Sequence, residues 1–189
     1  MTERRGIFLF AETTGGKVDK RSLLALEKAR DLAGELGVYV DAVVAGGIVE
    51  STAKELITYG AKKVIVAREA RFSAYDTDAL LSLLTAIIKE RNPEVVVFAD
   101  SFASRDLGPR LAQRFGTSFV AACTALGVDE RERKVIQTRK VFDGKVTTRI
   151  ITTVDAPQIF SVRVDESAEP YEADFPRGEV VEWSGAADA

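Results

Sequence analysis

Five short apolar runs recur along the first two thirds of this chain, and a turn and a segment with helical spacing follow each of the first four. That alternation narrows the fold more than any other feature. The runs are residues 6–11, 38–45, 64–67, 94–99 and 119–122. Strands that are apolar almost throughout belong in a parallel sheet with helices on both faces. Between them, Asp19 or Ser22 is expected to cap a helix carrying Leu23, Leu26, Ala29, Ala33 and Leu36, with Gly37 as its stop. A shorter helix is expected over 51–58, ending at Gly60. Asp76, Thr77 and Asp78 supply caps and early negative charge to a helix whose stripe is Leu80, Leu84, Ile87 and Ile88, and Arg91-Asn92-Pro93 ends it. A last helix should start between Ser104 and Asp106 and run to about Phe115, which tolerates Pro109 only near its start.

After residue 122 the pattern changes. Residues 134–142 and 145–153 are β-rich and meet at Asp143-Gly144, a strong signal for a two-residue hairpin turn. Residues 158–164 read as one more strand. The expected fold is therefore α/β: a three-layer α/β/α sandwich with a five-stranded, mainly parallel sheet, plus a C-terminal antiparallel β-hairpin. We expect a domain over 1–164, with 165–189 as an acidic tail or linker. From Asp165 onward there are eight acidic residues and one basic residue, Arg177, which leaves the body at net +4. A run of this kind reads as a solvated, self-repelling tail, or as an arm that docks on a partner. Trp183, the only tryptophan, sits within it and suits an interface better than water.

Several classes of chemistry drop out. The chain has no histidine, so Ser-His and Cys-His catalysis and imidazole metal sites are excluded. Its one cysteine, Cys123, forms no internal disulfide or thiolate cluster and is expected to pack as a small hydrophobe. No apolar run approaches the roughly 20 residues that span a bilayer, and the N-terminus has no signal-peptide core. A cytoplasmic location follows as an expectation, with no membrane insertion and no nucleic-acid partner.

In open parallel sheets, ligands sit beyond the carboxyl ends of the strands where strand order reverses. That rule selects the segments after the first and fourth strands. Ala11, Glu12 and Thr13 could wrap an adenine or ribose, although no glycine-rich phosphate fingerprint follows them. Asp100, Ser101, Ser104 and Arg105 could hold a phosphate at a helix start; equally, Ser104 could be a cap, with Arg105 and Asp106 in local charge pairs. Acid–base use of Glu12 and Asp100 is a third reading, without a histidine or metal to support it.

One stretch resembles a known family. Residues 100–112 (DSFASRDLGPRLA), with Gly116-Thr117 and residues 123–126 (CTAL), are similar to the N-terminal domain of electron transfer flavoprotein alpha subunits. So are Phe10-Ala11-Glu12 and residues 54–64, 138–145 and 157–163. The resemblance implies an adenine-nucleotide alpha-hydrolase-like fold and pairing with a homologous beta subunit. It implies FAD in the assembled electron carrier between dehydrogenases and the respiratory chain, with AMP usually on the beta subunit. The family holds FAD chiefly in a second alpha-subunit domain, and residues 180–183 fall where a linker toward it is expected, so that domain would be a separate partner or missing. The implied role is a scaffold without catalytic residues. The alternative is a stand-alone adenine-nucleotide-binding regulatory module.

Overall fold

A computed structural model describes residues 6–47, 49–129 and 131–185. The chain begins with β1 (Ile7–Phe10), β2 (Thr13–Thr14), β3 (Lys17–Val18), α1 (Lys20–Leu36), β4 (Val40–Ala45) and α2 (Glu50–Thr58). It continues through β5 (Lys63–Ala67), α3 (Thr77–Arg91), β6 (Val95–Ala99), α4 (Phe102–Phe115) and β7 (Phe119–Cys123). It closes with β8 (Ala125–Asp129), β9 (Lys134–Val141), β10 (Val146–Ile151), β11 (Gln158–Val162) and β12 (Glu179–Glu182). The expectation at Met1–Arg5 lies outside the described residues.

The central sheet has the order β12-β5-β4-β1-β6-β11-β7, and every pairing in it is parallel. The α/β sandwich is as expected, while the sheet has seven strands rather than five. One extra is β11, which enters between β6 and β7. The other is β12, from the acidic segment, which covers the outer edge of β5.

Alternation along the strands divides the core into two layers. Ile7, Leu9, Ala42 and Val44 face α1 and α2, where Leu26, Leu32 and Leu56 are fully buried. Phe8, Phe10, Val43 and Ile65 face α3 and α4, against Leu83, Ile87, Leu107 and Leu111. Each fully buried Leu or Ile contributes roughly 1.5–3 kcal/mol.

The helix ends follow their sequence signals. Asp19 accepts the Arg21 N–H at 2.9 Å, and Gly37 closes α1 at φ 66°. Asp76 accepts the Ala79 N–H at 2.9 Å, and Asn92 ends α3 at φ 50°. α4 begins earlier than expected because Ser101 is its cap, which leaves Pro109 in the helix interior. Pro109 is exposed, so the carbonyl it frees, that of the exposed Arg105, lies toward the solvent side of the helix. Gly108, on the buried side, lets α4 approach the sheet: a Cβ there would lie 2.4 Å from the Phe119 ring.

The antiparallel appendage is a three-stranded sheet, β10-β9-β8, where the sequence indicates a hairpin. β8 escapes notice because Ala125-Leu126-Gly127-Val128-Asp129 has one β-branched residue and a glycine. The Asp143-Gly144 turn forms as expected: both residues have positive φ, and the Lys145 N–H donates to the Phe142 carbonyl at 3.0 Å.

The acidic segment is not a free solvated tail. Glu169 meets Lys20, the Ala173 N–H donates to the Thr58 carbonyl, and β12 then pairs with β5, flanked by Lys63–Glu179 and Arg68–Glu182 ion pairs. Trp183 packs against the α3/α4 layer, and its backbone N–H donates to the Val66 carbonyl at 2.8 Å.

Candidate functional site: the switch-point crevice

β1 lies between β4 and β6, so the chain leaves the sheet centre in both directions and strand order reverses there. The loops after β1 and β6 flank that point, as the sequence indicates. They are joined directly: the Ser101 hydroxyl donates to Glu12 Oε1 at 2.5 Å, although the two residues stand 89 positions apart. The start of α1 fixes Glu12. Its N–H donates to Ser22 Oγ at 3.0 Å, and its carbonyl accepts the Asp19 N–H at 2.9 Å. Burial raises the Glu12 carboxyl above its usual range, and the Ser101 hydrogen bond and nearby Arg21 only partly oppose this.

Ser101 and Ser104 form a capping box. The Ser104 N–H donates to Ser101 Oγ at 3.1 Å, and the Ser101 N–H donates to Ser104 Oγ at 2.9 Å. The Ser104 hydroxyl in turn donates to the Ser101 carbonyl at 3.0 Å and is fully buried. The two expected phosphate ligands are thus engaged with each other, and a carboxylate already lies beside Ser101 at the electropositive start of α4. Arg105 grips Asp100 with both arms, at 3.2 and 3.1 Å, and Arg163 approaches the same carboxylate at 3.7 Å. The cap is thus Ser101 rather than Ser104, and Arg105 pairs with Asp100 while Asp106 pairs with Arg110.

Two clefts open on either side of the Glu12–Ser101 bond. One, of about 200 Å³, is walled by Phe10, Ala11, Glu12, Thr13, Phe72 and Tyr75 among others. The other, of about 390 Å³, is polar and lined by Arg21, Asp100, Ser101, Arg105, Arg163 and Glu166 among others. Ala11, Glu12 and Thr13 therefore face one cleft, while Asp100, Ser101 and Arg105 face the other. Ser104 lines neither. Glu12 and Asp100 do not converge as an acid–base pair.

Arg21, Tyr75 and Arg163 are missing from the sequence-based set. Arg163 directly follows β11, and only the insertion of that strand beside β6 brings it to Asp100. Tyr75 follows a 3-10 turn and donates to Asp106 at 2.8 Å, and no local pattern signals it. Cys123 belongs to the core, and burial pushes its thiol up to about 12, as suits an inert packing residue.

No described helix is long and apolar enough to cross a membrane. Among the described residues, no cluster of acidic or thiol side chains could hold a metal ion.

Comparison with known proteins gives the same answer over nearly the whole chain. A family model described as "Electron transfer flavoprotein domain" matches residues 7–188. The electron transfer flavoprotein subunit alpha of Clostridium acetobutylicum is 35% identical over 159 residues, which is 84% of this chain and 47% of that protein. The subunit alpha of Thermoanaerobacterium thermosaccharolyticum is 34% identical over 183 residues, covering 97% of this chain and 55% of the relative. A protein of Anaerotignum propionicum named acryloyl-CoA reductase electron transfer subunit beta is 38% identical over 125 residues, 66% of this chain and 34% of its own. The chain thus spans about half the length, or less, of these relatives. With this match and a parallel sheet whose switch point carries the motif residues, the chain belongs to the electron transfer flavoprotein family.

Proposed function

We propose that this chain is the N-terminal scaffold domain of an alpha-type subunit in an FAD-containing electron carrier, and that it pairs with a beta-type subunit. The observation that carries this reading is the self-satisfied switch point. Ser101, Ser104, Asp100 and Arg105 bond to one another or to Glu12, so a phosphate would have to displace a carboxylate and break a helix cap. The residues do not fit a flavin dinucleotide held at this crevice, and no step is assigned to the cofactor here. FAD belongs to the assembled carrier, chiefly outside this chain, and AMP belongs to the beta-type subunit. The chain contributes a rigid frame rather than catalytic groups, working in the cytoplasm between dehydrogenases and the respiratory chain. Residues 1–164 form the core of that frame, and 165–189 lead toward the flavin-binding part.

Two measurements test the reading. Calorimetric titration of the purified chain with FAD and with AMP should show no heat of binding. Tagged chain recovered from its host should carry a beta-type subunit and flavin absorbance with it. Binding of AMP by the chain alone, lost in Ser101→Ala, would replace the scaffold with the nucleotide-binding module.

A further inference from the structure

The smaller of the two clefts at the switch point does not share the chemistry of its polar neighbour. Its wall is largely apolar: Phe10 ends β1, Phe72 and Tyr75 come from the connection between β5 and α3, and Ala45, Leu80 and Ala103 complete it. Burial and the Asp106 bond keep the Tyr75 hydroxyl protonated. Glu12 is therefore the one lining residue that can carry charge near neutral pH, and that charge is negative. The volume, about 200 Å³, falls below the roughly 300–1,000 Å³ of pockets for larger ligands. A single ring or a group of that size fits, and a nucleotide does not.

Glu12 is left incompletely paired. Its Oε1 accepts from the Ser101 hydroxyl, but among the described residues nothing donates to Oε2 and no cation forms an ion pair with this carboxylate. Oε2 is not sealed inside the protein, so it opens on the cleft that Glu12 lines. Two neighbouring arginines are committed elsewhere. Arg21 holds Asp19 with both arms, each at 3.0 Å, and Arg71, with its guanidinium 4.9 Å from the Phe72 ring centroid, pairs with Glu69.

A largely buried carboxylate with one neutral donor carries a desolvation cost that a cation offsets. The aromatic walls favour the same sign of charge, because the faces of Phe and Tyr rings attract cations. Among organic cations, a planar amidinium or guanidinium is more weakly hydrated than an ammonium and loses less on entering an apolar slot.

We propose that this cleft binds a small free organic cation, an amidinium or guanidinium on a ring-sized apolar body, which donates to Glu12 Oε2 and lays that body against Phe10, Phe72 and Tyr75. The wall and the unpaired acceptor define this class together. A neutral ring leaves the carboxylate without a counter-charge, and an anion is repelled by it. The inference goes beyond the scaffold reading and does not depend on which subunit the chain pairs with.

Benzamidine is the probe, with benzamide as its neutral isostere and AMP as an anion. Calorimetric titration of the purified chain should show saturable benzamidine binding, about tenfold or more tighter than benzamide, and no heat with AMP. Backbone amide NMR signals of Ala11, Glu12, Thr13 and Tyr75 should shift as benzamidine is added. Glu12→Gln keeps an acceptor for Ser101 and removes the charge, so it should weaken benzamidine by about tenfold or more without lowering the melting temperature near neutral pH. Phe72→Leu keeps an apolar wall but loses the ring face, which should weaken binding by about threefold or more. Equal affinity for benzamidine and benzamide, or unchanged affinity in Glu12→Gln, overturns the cation site. No binding of benzamidine overturns it too and leaves the scaffold reading in place. Binding of AMP instead of benzamidine overturns both, in favour of the nucleotide-binding module.

Discussion

Glu12 shows how much one buried carboxylate can decide. Desolvation raises its pKa in the folded chain, so folding favours the protonated form. The resulting stabilisation is complete below the ordinary Glu value of 4.5 and is lost as pH rises through the raised folded value. Glu12→Gln removes that loss while keeping an acceptor for Ser101. Its melting temperature should match or exceed wild type at about pH 7 and change less between about pH 4 and about pH 7. Thermal melts across that range check it, and an unchanged pH slope would mean that Glu12 does not set it. The sequence places Glu12 and Ser101 at the two loops of the switch point, yet it leaves the phosphate and cap readings balanced. What settles the geometry is a hydrogen bond across 89 residues, which no local pattern encodes. Gly108 makes a sharper case of the same kind. Its absent Cβ admits the Phe119 ring, so Gly108→Ala should destabilise by about 1–3 kcal/mol in urea unfolding, against the small gain helix propensity alone would give.

The helices and the first five strands of the sheet are legible because their signals are local: caps, stops and apolar period. Pairing partners are not. Residues 158–164 read correctly as a strand, but its place between β6 and β7 follows from the appendage, which returns the chain to a gap in the parallel sheet. α4 was legible except for its start, where the Ser101 cap shifts the first turn and carries Pro109 inward. The contact between α3 and α4 was not legible at all, because it joins side chains distant in sequence. Asp106 accepts from Thr77 at 2.6 Å, Tyr75 at 2.8 Å and Arg110 at 2.9 Å. Those three donors, Thr77 first, hold the Asp106 carboxyl down at about 2. Burial and the Asp106 bond push the Tyr75 hydroxyl up to about 12, so it remains a donor throughout the accessible pH range. A depressed carboxyl adds stability above its unfolded pKa, and that stability is lost as pH falls through the folded value. Asp106→Asn should therefore flatten the acid limb of stability between about pH 4 and about pH 2, lying below wild type near neutrality and converging with it at about pH 2. Circular dichroism of both proteins through that window tests the assignment.

Across the whole molecule, the acidic segment changes meaning once its path is known. By composition it is a solvated run, and its exposed ion pairs with Lys20, Lys63 and Arg68 contribute little on their own. Its attachment comes instead from the parallel pairing of β12 with β5 and from Trp183 against the α3/α4 layer. Gly178 lets the segment in: a Cβ there would lie 2.6 Å from the Ala61 carbonyl oxygen. The indole nitrogen of Trp183 is buried without a hydrogen-bond partner, so the ring acts through its apolar area. Trp183→Phe should then be nearly neutral, while Trp183→Ala should cost about 2–4 kcal/mol. Ending the chain after Val164 tests the segment as a unit. The core of the remaining chain is intact, since both buried layers draw almost wholly on earlier residues. Its β5 edge, however, is left as a bare row of N–H and C=O groups beside Val64, Ile65 and Val66. The shortened protein should fold, melt at a lower temperature, and self-associate as concentration rises in sedimentation velocity, where the longer chain does so less. A shortened chain that stays monomeric would show that β5 needs no cover, and that β12 serves to aim the chain beyond it rather than to seal the sheet.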